Sequence, residues 1–355
     1  MAFLEIHNVA IRGISACVPK NVEENKDLPF YAPGEAEQVI AATGIERRHV
    51  TTPEQTASDL GLGAAEKLIE VLGWEKESID ILAFCTQNPD YQNHPDSFVV
   101  HEKLGLTERT MCLDFYHGCP GWVVSLSAVC SMLSSGVIKR AIFIDSDTVT
   151  KDYDSGNREE RPLFGDAGTA TALEYTPDAK PMYFNIGTLS EDGRALARQN
   201  GAYRNPYTLE TLQKDLDRKA GRLTGQDGLD TMDSMDSMDV FSFAITKVPK
   251  ALKKLVAEYG IEMGSIDNLV LHQANKVILE NIAKRLNVPM EKVPLELGNY
   301  GNTTSASIPL AIVSERGVAM ARHQRNLVCG FGTGLAWGAA YFETENVICP
   351  PVVEI

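Results

Sequence analysis

Apolar positions along the chain fall into short runs of two periods. "ASDLGLGAAEKLIEVLGW" (57–74), "SFVVHEKLGL" (97–106) and the segment 120–135 carry helical spacing. "IDILAFCTQ" (79–87), "RTMCLDFY" (109–116), "RAIFIDSD" (140–147) and "GTATALEYT" (168–176) are short runs of strand character, as is "LEIHNVAIRGISACVP" (4–19), which reads as one strand and its exit. The order then repeats. A long helix is predicted over about 239–259, followed by "IDNLVLHQAN" (266–275) as a strand and "KVILENIAKRLN" (276–287) as a helix. "SIPLAIVSERGVAM" (307–320) reads as a further helix, and "NLVCGFGTG" and "AWGAAYFETE" as closing strands. Strands alternating with helices predict an α/β chain. The two "ID-x-L" strands each follow a helix and a glycine-containing turn, so we read two similar halves, 1–180 and 181–355.

One segment fits neither half. Residues 188–238 are polar and end in "LDTMDSMDSMD". They read either as a surface insertion or as a lid, in which Met232, Met235 and Met238 would share one helical turn against an apolar ligand.

Composition narrows the class. A chain of 355 residues, 44% hydrophobic and 23% charged, is globular and large enough for two layered halves. No apolar run reaches the roughly 18 residues of a membrane span, and the N-terminus has no signal-peptide pattern. The net charge of −15 argues against nucleic acid as a partner. A local exception is "ITKVPKALKKLVAEYG", where Lys247, Lys250 and Lys254 would share a helix face, either simply solvated or turned to an acidic protein. The seven cysteines are widely spaced with no C-x-x-C, which predicts neither a zinc site nor a disulfide framework and suggests a reducing cytoplasm.

Candidate chemistry sits at four places. Cys119 lies where a strand turns abruptly into a helix without a charged residue from 120 to 138. It is either a small core residue or a nucleophile whose pKa the helix N-terminus lowers. Pro120 suits the first helical position. His272 ends the strand "LVLH" and is either a core histidine or an imidazole at the sheet edge where ligands of α/β proteins bind. The cluster "LGNYGNTTSASIPLAI" is either turn and cap chemistry or a loop that presents Asn302 as a neutral donor. The glycines of "CGFGTGLAWG", among them Gly332 and Gly334, allow close backbone approach and could complete an oxyanion hole.

Together "HGCPGW", "LVLHQANKVI", "NYGNTTSASIPLA" and "GFGTGLAWGAA" resemble the Cys, His, Asn and glycine-loop motifs of the β-ketoacyl-acyl-carrier-protein synthase III family, within the thiolase-like superfamily. "TGIERRHV" and "LFGDAGTATAL" match its further signatures. The resemblance implies a five-layer αβαβα fold of two duplicated halves, usually a homodimer. It implies acyl transfer to Cys119, then decarboxylative Claisen condensation with malonyl-acyl-carrier protein. His272 and Asn302 would bind the malonyl thioester oxygen, and the backbone N–H groups of Cys119 and Thr333 the tetrahedral oxyanion. Coenzyme A or phosphopantetheine thioesters would be substrates, with no resident cofactor or metal.

The chain also departs from the family. Gln38 and Ala42 stand where a Trp and an Arg usually grip the coenzyme A nucleotide, and Ser242 and Val277 replace two further basic residues. Arg158, Asn275, Lys284 and Arg285 are retained. Pro120 and His94 are also unusual at their positions. These changes point to a specialised member with a carrier-bound or non-acetyl donor. Competing readings are transfer of the acyl group from Cys119 to an amine or alcohol, a non-catalytic acyl-binding scaffold, and a cysteine hydrolase.

Overall fold

The computed structural model describes residues 2–152, 158, 160–190, 196–198, 202–219, 233–235 and 237–355. The strands that form its two large sheets are β1 (Ala2–Ile6), β2 (Val9–Val18), β3 (Ile81–Thr86), β4 (Met111–Tyr116), β5 (Arg140–Asp147), β6 (Ala167–Tyr175), β7 (Met182–Thr188), β8 (Asn268–Leu271), β9 (Gln324–Gly332), β10 (Ala336–Thr344) and β11 (Val353–Glu354). One sheet has the order β11-β2-β6-β5-β3-β4, and the other β1-β7-β10-β9-β8.

The two sheets repeat a common unit. In the first, β2–β6 and β6–β5 are antiparallel and β5–β3 is parallel. In the second, β7–β10 and β10–β9 are antiparallel and β9–β8 is parallel. The paired "ID-x-L" strands, β3 and β8, therefore occupy equivalent places. The aspartate before each has the same job. Asp80 Oδ2 accepts the N–H of Lys139 at 2.7 Å and of Arg140 at 3.2 Å, at the start of β5. Asp267 Oδ2 accepts the N–H of Arg325 at 2.9 Å, near the start of β9.

Helices stack around the sheets in five layers. Helices α1 (Glu35–Thr43), α2 (Ala57–Leu72), α3 (Asp96–Leu104), α4 (Gly121–Leu133), α5 (Ser237–Glu258), α6 (Lys276–Leu286) and α7 (Ser307–Ala311) are used below. α2 and α3 cover the outer face of the first sheet, and α5 and α6 flank the second. α4 and α7 lie between the sheets, touching both. This explains their sequences. Trp122, Val123, Leu126, Val129, Cys130 and Leu133 of α4 share one core with Ile308, Leu310 and Ala311 of α7. A helix with apolar neighbours on both sides tolerates no charged face.

The structure corrects two sequence expectations. The run 4–19 is two strands, not one: β1 pairs antiparallel with β7 in the second sheet, and β2 pairs with β6 in the first. The break comes at Asn8, whose φ of 62° lies in the left-handed region that Asn tolerates. The predicted helix 307–320 is only one α-helical turn, α7, passing into a π-helical turn at Ile312–Arg316 and a 3-10 turn at Ala319–Ala321. The chain is tightly packed here: a Cβ at Gly317 would meet Val313 O at 2.6 Å and Cys349 Cβ at 3.2 Å.

Within 188–238, Leu196–Arg198 pairs with Asp233–Met235 and Leu209–Lys219 is helical. The methionine reading falls outside the description, since Met232 is not among the described residues and the side chains of Met235 and Met238 are not described. Among the described residues, no helix is long and apolar enough to cross a membrane.

Candidate active site

The position of Cys119 is built by close packing around a turn. Gly121 N–H donates to Gly118 O at 2.6 Å, and α4 starts at Gly121, with Pro120 as its capping residue rather than its first helical one. At Gly118 a Cβ would lie 2.7 Å from both Gln87 Oε1 and Thr333 Oγ1, so the turn has no room for a side chain. Trp122 Nε1 donates to Thr171 Oγ1 of β6 at 3.1 Å and anchors the helix to the first sheet. Cys119 is thereby held against the loop after β9. Its Sγ is 3.9 Å from Thr333 Oγ1. Gly332, with φ of 148°, passes so close that a Cβ there would sit 2.9 Å from the sulfur. Gly334 shares the unusual backbone, with φ of 126°.

The thiol pKa runs against the helix-start argument. Burial pushes Cys119 up from its ordinary value, and the Asp147 charge adds to that. The backbone N–H groups of Thr333 and of Cys119 itself pull the other way without winning. The resting group is therefore a thiol. The two N–H groups that bear on the sulfur are the same two that the sequence nominates for an oxyanion hole.

His272 follows β8 directly. Its N–H donates to Cys329 O at 2.9 Å, continuing the β8–β9 pairing, and the Phe331 ring meets the imidazole edge-on at 5.4 Å. Burial lowers its pKa to about 4, because nothing of opposite charge offsets the lost hydration. The ring is neutral at pH 7. Nδ1 lies 2.8 Å from Ser307 Oγ, which is also 2.7 Å from Thr304 O. The Ser307 hydroxyl has one proton for these two acceptors.

Asn302 is fixed by backbone on both sides. Its N–H donates to Leu163 O at 2.8 Å, and its carbonyl accepts from Gly165 N at 3.1 Å. Its side-chain Oδ1 accepts the N–H of Thr304 at 3.0 Å, which leaves the Nδ2 protons for another acceptor. Thr304 holds φ of +53°, a genuine outlier for a β-branched residue and a strain of about 1–3 kcal/mol.

Contacts link these parts. Ser307 bridges the His272 ring to the Thr304 loop. A Cβ at Gly121 would meet Ser305 Oγ at 3.3 Å, so that loop also touches the head of α4. Two other sequence candidates have structural partners. Asn275 caps α6, its Oδ1 accepting the N–H of Ile278 at 2.8 Å. Arg158 Nη2 reaches both carboxylate oxygens of Glu35 at 2.6 Å, beside Phe30 and Tyr31. His94 sits between the exposed rings of Tyr91 and Phe98. Among the described residues, no three His, Cys, Asp or Glu side chains converge as metal ligands would.

The sequence reading missed the carboxylates beneath the site. Asp145 and Asp147, on one face of β5, are fully buried with no cation against them, and burial raises both pKa values, that of Asp147 to about 7. Their partners are the hydroxyls of Ser305 and Thr304. The available signal was "IDSD", a pair of charges at the end of an apolar strand, opposite the dense hydroxyl cluster "TTSAS".

A buried cysteine at the head of a central helix, with a neutral His and an Asn on a neighbouring loop of a two-sheet, five-layer fold, matches the class of thiolase-like acyl-transferring enzymes. Two family models match the chain. One described as 3-oxoacyl-[acyl-carrier-protein] synthase III covers residues 113–190, and its C-terminal counterpart covers 256–344. A β-ketoacyl-[acyl-carrier-protein] synthase III from Prochlorococcus marinus is 32% identical over 347 residues, spanning 95% of this chain and 96% of the relative. One of the same name from Clostridium perfringens is 30% identical over 335 residues, spanning 94% and 98%. The chain belongs to the β-ketoacyl-[acyl-carrier-protein] synthase III family. Its fold is similar to a 3-oxoacyl-(acyl-carrier protein) synthase from Burkholderia xenovorans LB400, with a TM-score of 0.91, 31% identity and coverage of 100% and 99%. It shares the fold alone with the priming β-ketosynthase of the R1128 polyketide pathway, at 23% identity, TM-score 0.79 and coverage of 97% and 98%.

Proposed function

We propose that this condensing enzyme of the synthase III type works through Cys119, His272 and Asn302, with acyl-carrier protein as its partner and coenzyme A or phosphopantetheine thioesters as substrates rather than a resident cofactor. The observations that carry the assignment are a buried thiol on which two backbone N–H groups bear and, joined to the Asn302 loop through Ser307, an imidazole that burial keeps neutral.

In the first half-reaction the Cys119 sulfur attacks the acyl thioester carbon, the thiol proton leaves with the departing thiol, and the acyl group stays on the enzyme. The N–H groups of Cys119 and Thr333 receive the charge that develops on the carbonyl oxygen. In the second, the bond to the malonyl carboxylate breaks and releases CO2. Its electron pair passes into an enolate whose oxygen takes hydrogen bonds from His272 Nε2 and Asn302 Nδ2. His272 donates from Nε2 when the Ser307 proton is turned to Nδ1. The carbanion attacks the acyl carbon, the C–S bond breaks, and the Cys119 thiolate takes a proton from water. Neutral donors stabilise the enolate without protonating it.

The partner assignments rest on surfaces. Ile245, Lys250, Lys253, Lys254 and Arg285 line a basic groove between α5 and α6 on a chain of net charge −15, which suits an acidic carrier. Strand β4 is the open edge of the first sheet, and it carries Met111 at 38% and Tyr116 at 79% exposure. A second copy pairing there would cover it, giving a homodimer. Seven free thiols suit a cytoplasmic location.

The test is intact-mass spectrometry of malonyl-acyl-carrier protein after mixing with the enzyme and a panel of acyl-coenzyme A and acyl-carrier donors. Loss of CO2 with gain of one acyl group, absent with Cys119→Ala, is the expected result. Acylated Cys119 with an unchanged or merely decarboxylated carrier would overturn condensation in favour of an amine or alcohol acceptor. A Cys119 that no thioester acylates would leave only a binding scaffold.

A further inference from the structure

Thr304 touches both parts of the site used in decarboxylation. Its N–H donates to Asn302 Oδ1 at 3.0 Å, which decides which end of that amide faces outward. Its carbonyl lies 2.7 Å from Ser307 Oγ, the atom 2.8 Å from His272 Nδ1. Thr304 makes both contacts in a left-handed backbone, at φ of +53°. Rotation about its N–Cα bond would carry residues 302 and 303 together, and with them the Asn302 amide, away from Ser307 and the chain that follows. A β-branched residue does not hold that conformation unaided.

One side-chain bond restrains it. Thr304 Oγ1 donates to Asp147 Oδ2. Asp147 is itself immobilised, because its Oδ1 accepts from Thr86 Oγ1 and from Gln87 N–H, both at 2.8 Å, at the end of the neighbouring strand β3. The adjacent hydroxyl provides an internal control. Ser305 Oγ donates to Asp145 Oδ1 at 2.5 Å, a bond equally buried and anchored two residues earlier on β5, but Ser305 makes no contact to Asn302 or His272 among the hydrogen bonds described.

We propose that Asp147 and Thr304 are positioning residues for the decarboxylation step: the carboxylate holds the threonine in its left-handed conformation, and so fixes the loop from which Asn302 Nδ2 faces the malonyl thioester oxygen. The inference rests on the condensing function proposed above and assigns these two residues to its second half-reaction alone. Acylation of Cys119 does not depend on them. The Asp147 charge in fact raises the Cys119 pKa, so removing that charge favours the thiolate.

The experiment separates the half-reactions in the full-length enzyme. Acyl-Cys119 formation is followed by intact mass, and condensation by malonyl-acyl-carrier protein consumed from the preformed acyl-enzyme. Thr304→Val is expected to lose at least about tenfold in condensation rate while acylating within about twofold of the wild type. Thr304→Ser, which keeps the hydroxyl, restores condensation to within about threefold. Asp147→Asn slows condensation and acylates as fast as the wild type or faster. Ser305→Ala lowers thermal stability but leaves the ratio of the two rates unchanged. Equal losses in both half-reactions, or a Thr304→Val enzyme that condenses normally, would overturn the proposal. A readout independent of turnover is the crystal structure of Thr304→Val, or of Asp147→Asn should the valine variant not fold. Residue 304 should leave the left-handed region and the Asn302 amide should shift relative to Ser307 and His272. An unchanged loop overturns the inference. A wild-type enzyme that never condenses overturns the function instead, and the crystal structure still decides the positioning role.

Discussion

The ends of β3 and β8 occupy the same place in the two halves, yet one braces the loop beside the site and the other carries the histidine to which we assign chemistry. Aligning "IDILAFCTQN" with "IDNLVLHQAN" sets Cys85 against His272 and Thr86 against Gln273. Burial acts on both residues and favours the neutral form of each. It raises the Cys85 thiol well above its ordinary value and lowers His272 to about 4. The difference lies in what surrounds them. Cys85 faces the His117 carbonyl at 3.9 Å and the buried Asp145, and its neighbours Thr86 and Gln87 fasten Asp147. His272 instead meets the Ser307 hydroxyl, beside the loop that carries Asn302. The two strand ends are thus equivalent in topology and differ in their neighbours, and under the proposed mechanism one braces the site while the other carries its imidazole.

Substitution at the two ends should break the symmetry most strongly. His272→Ala should cost roughly a hundred- to a thousandfold in condensation, the scale of losing one oxyanion donor. Cys85→Ala should stay within about threefold and cost about 1 kcal/mol in stability. Condensation assays with urea unfolding check both, and a large loss at Cys85 would undo the division of roles. The thiols sharpen it further. A raised pKa means that the thiolate of Cys119 is scarce at pH 7 and grows with pH. Iodoacetamide alkylation of Cys119 should therefore rise about tenfold per pH unit from 7 to 9 without a plateau. Cys85, at 0% exposure, should remain unmodified in the native enzyme. A plateau near pH 7 would mean that the helix start governs Cys119 after all. The smallest effect concerns what the halves share. Asp80→Asn weakens two backbone bonds, and Asp267→Asn one backbone bond together with the Arg325 ion pair; each should lower Tm by about 1–3 °C, with the larger shift at Asp267. A larger shift at Asp80 would show that its backbone bonds matter more to the strand start than the ion pair does.

Much of this was legible in the sequence. The two "ID-x-L" runs marked equivalent strands, and Cys119, His272 and Asn302 each stood out by position. What escaped were properties that depend on partners far away in the chain. Asp147 reads as the polar exit of a strand until Thr304, 157 positions later, is seen to bond it. The Cys119 pKa ran opposite to expectation because a local motif gives the helix start but not the depth of burial. The split of 4–19 was hidden for the same reason, since either half of that run is apolar enough for a strand, and only pairing decides which sheet takes it.

That split has a consequence for how the molecule is made. β1 waits for residues 182–186 before it has a neighbour, and the outer edge of the first sheet, at Cys17 and Val18, is completed only by Val353 and Glu354. On the ribosome, the amino-terminal segment must therefore stay unpaired while the whole first unit is synthesised beside it. The first sheet can assemble early, but its outermost backbone ladder is closed only when Val353 and Glu354 have followed the whole second unit out. Neither unit is finished until its sibling is under way, and folding of the two is tied together by the order in which the chain emerges.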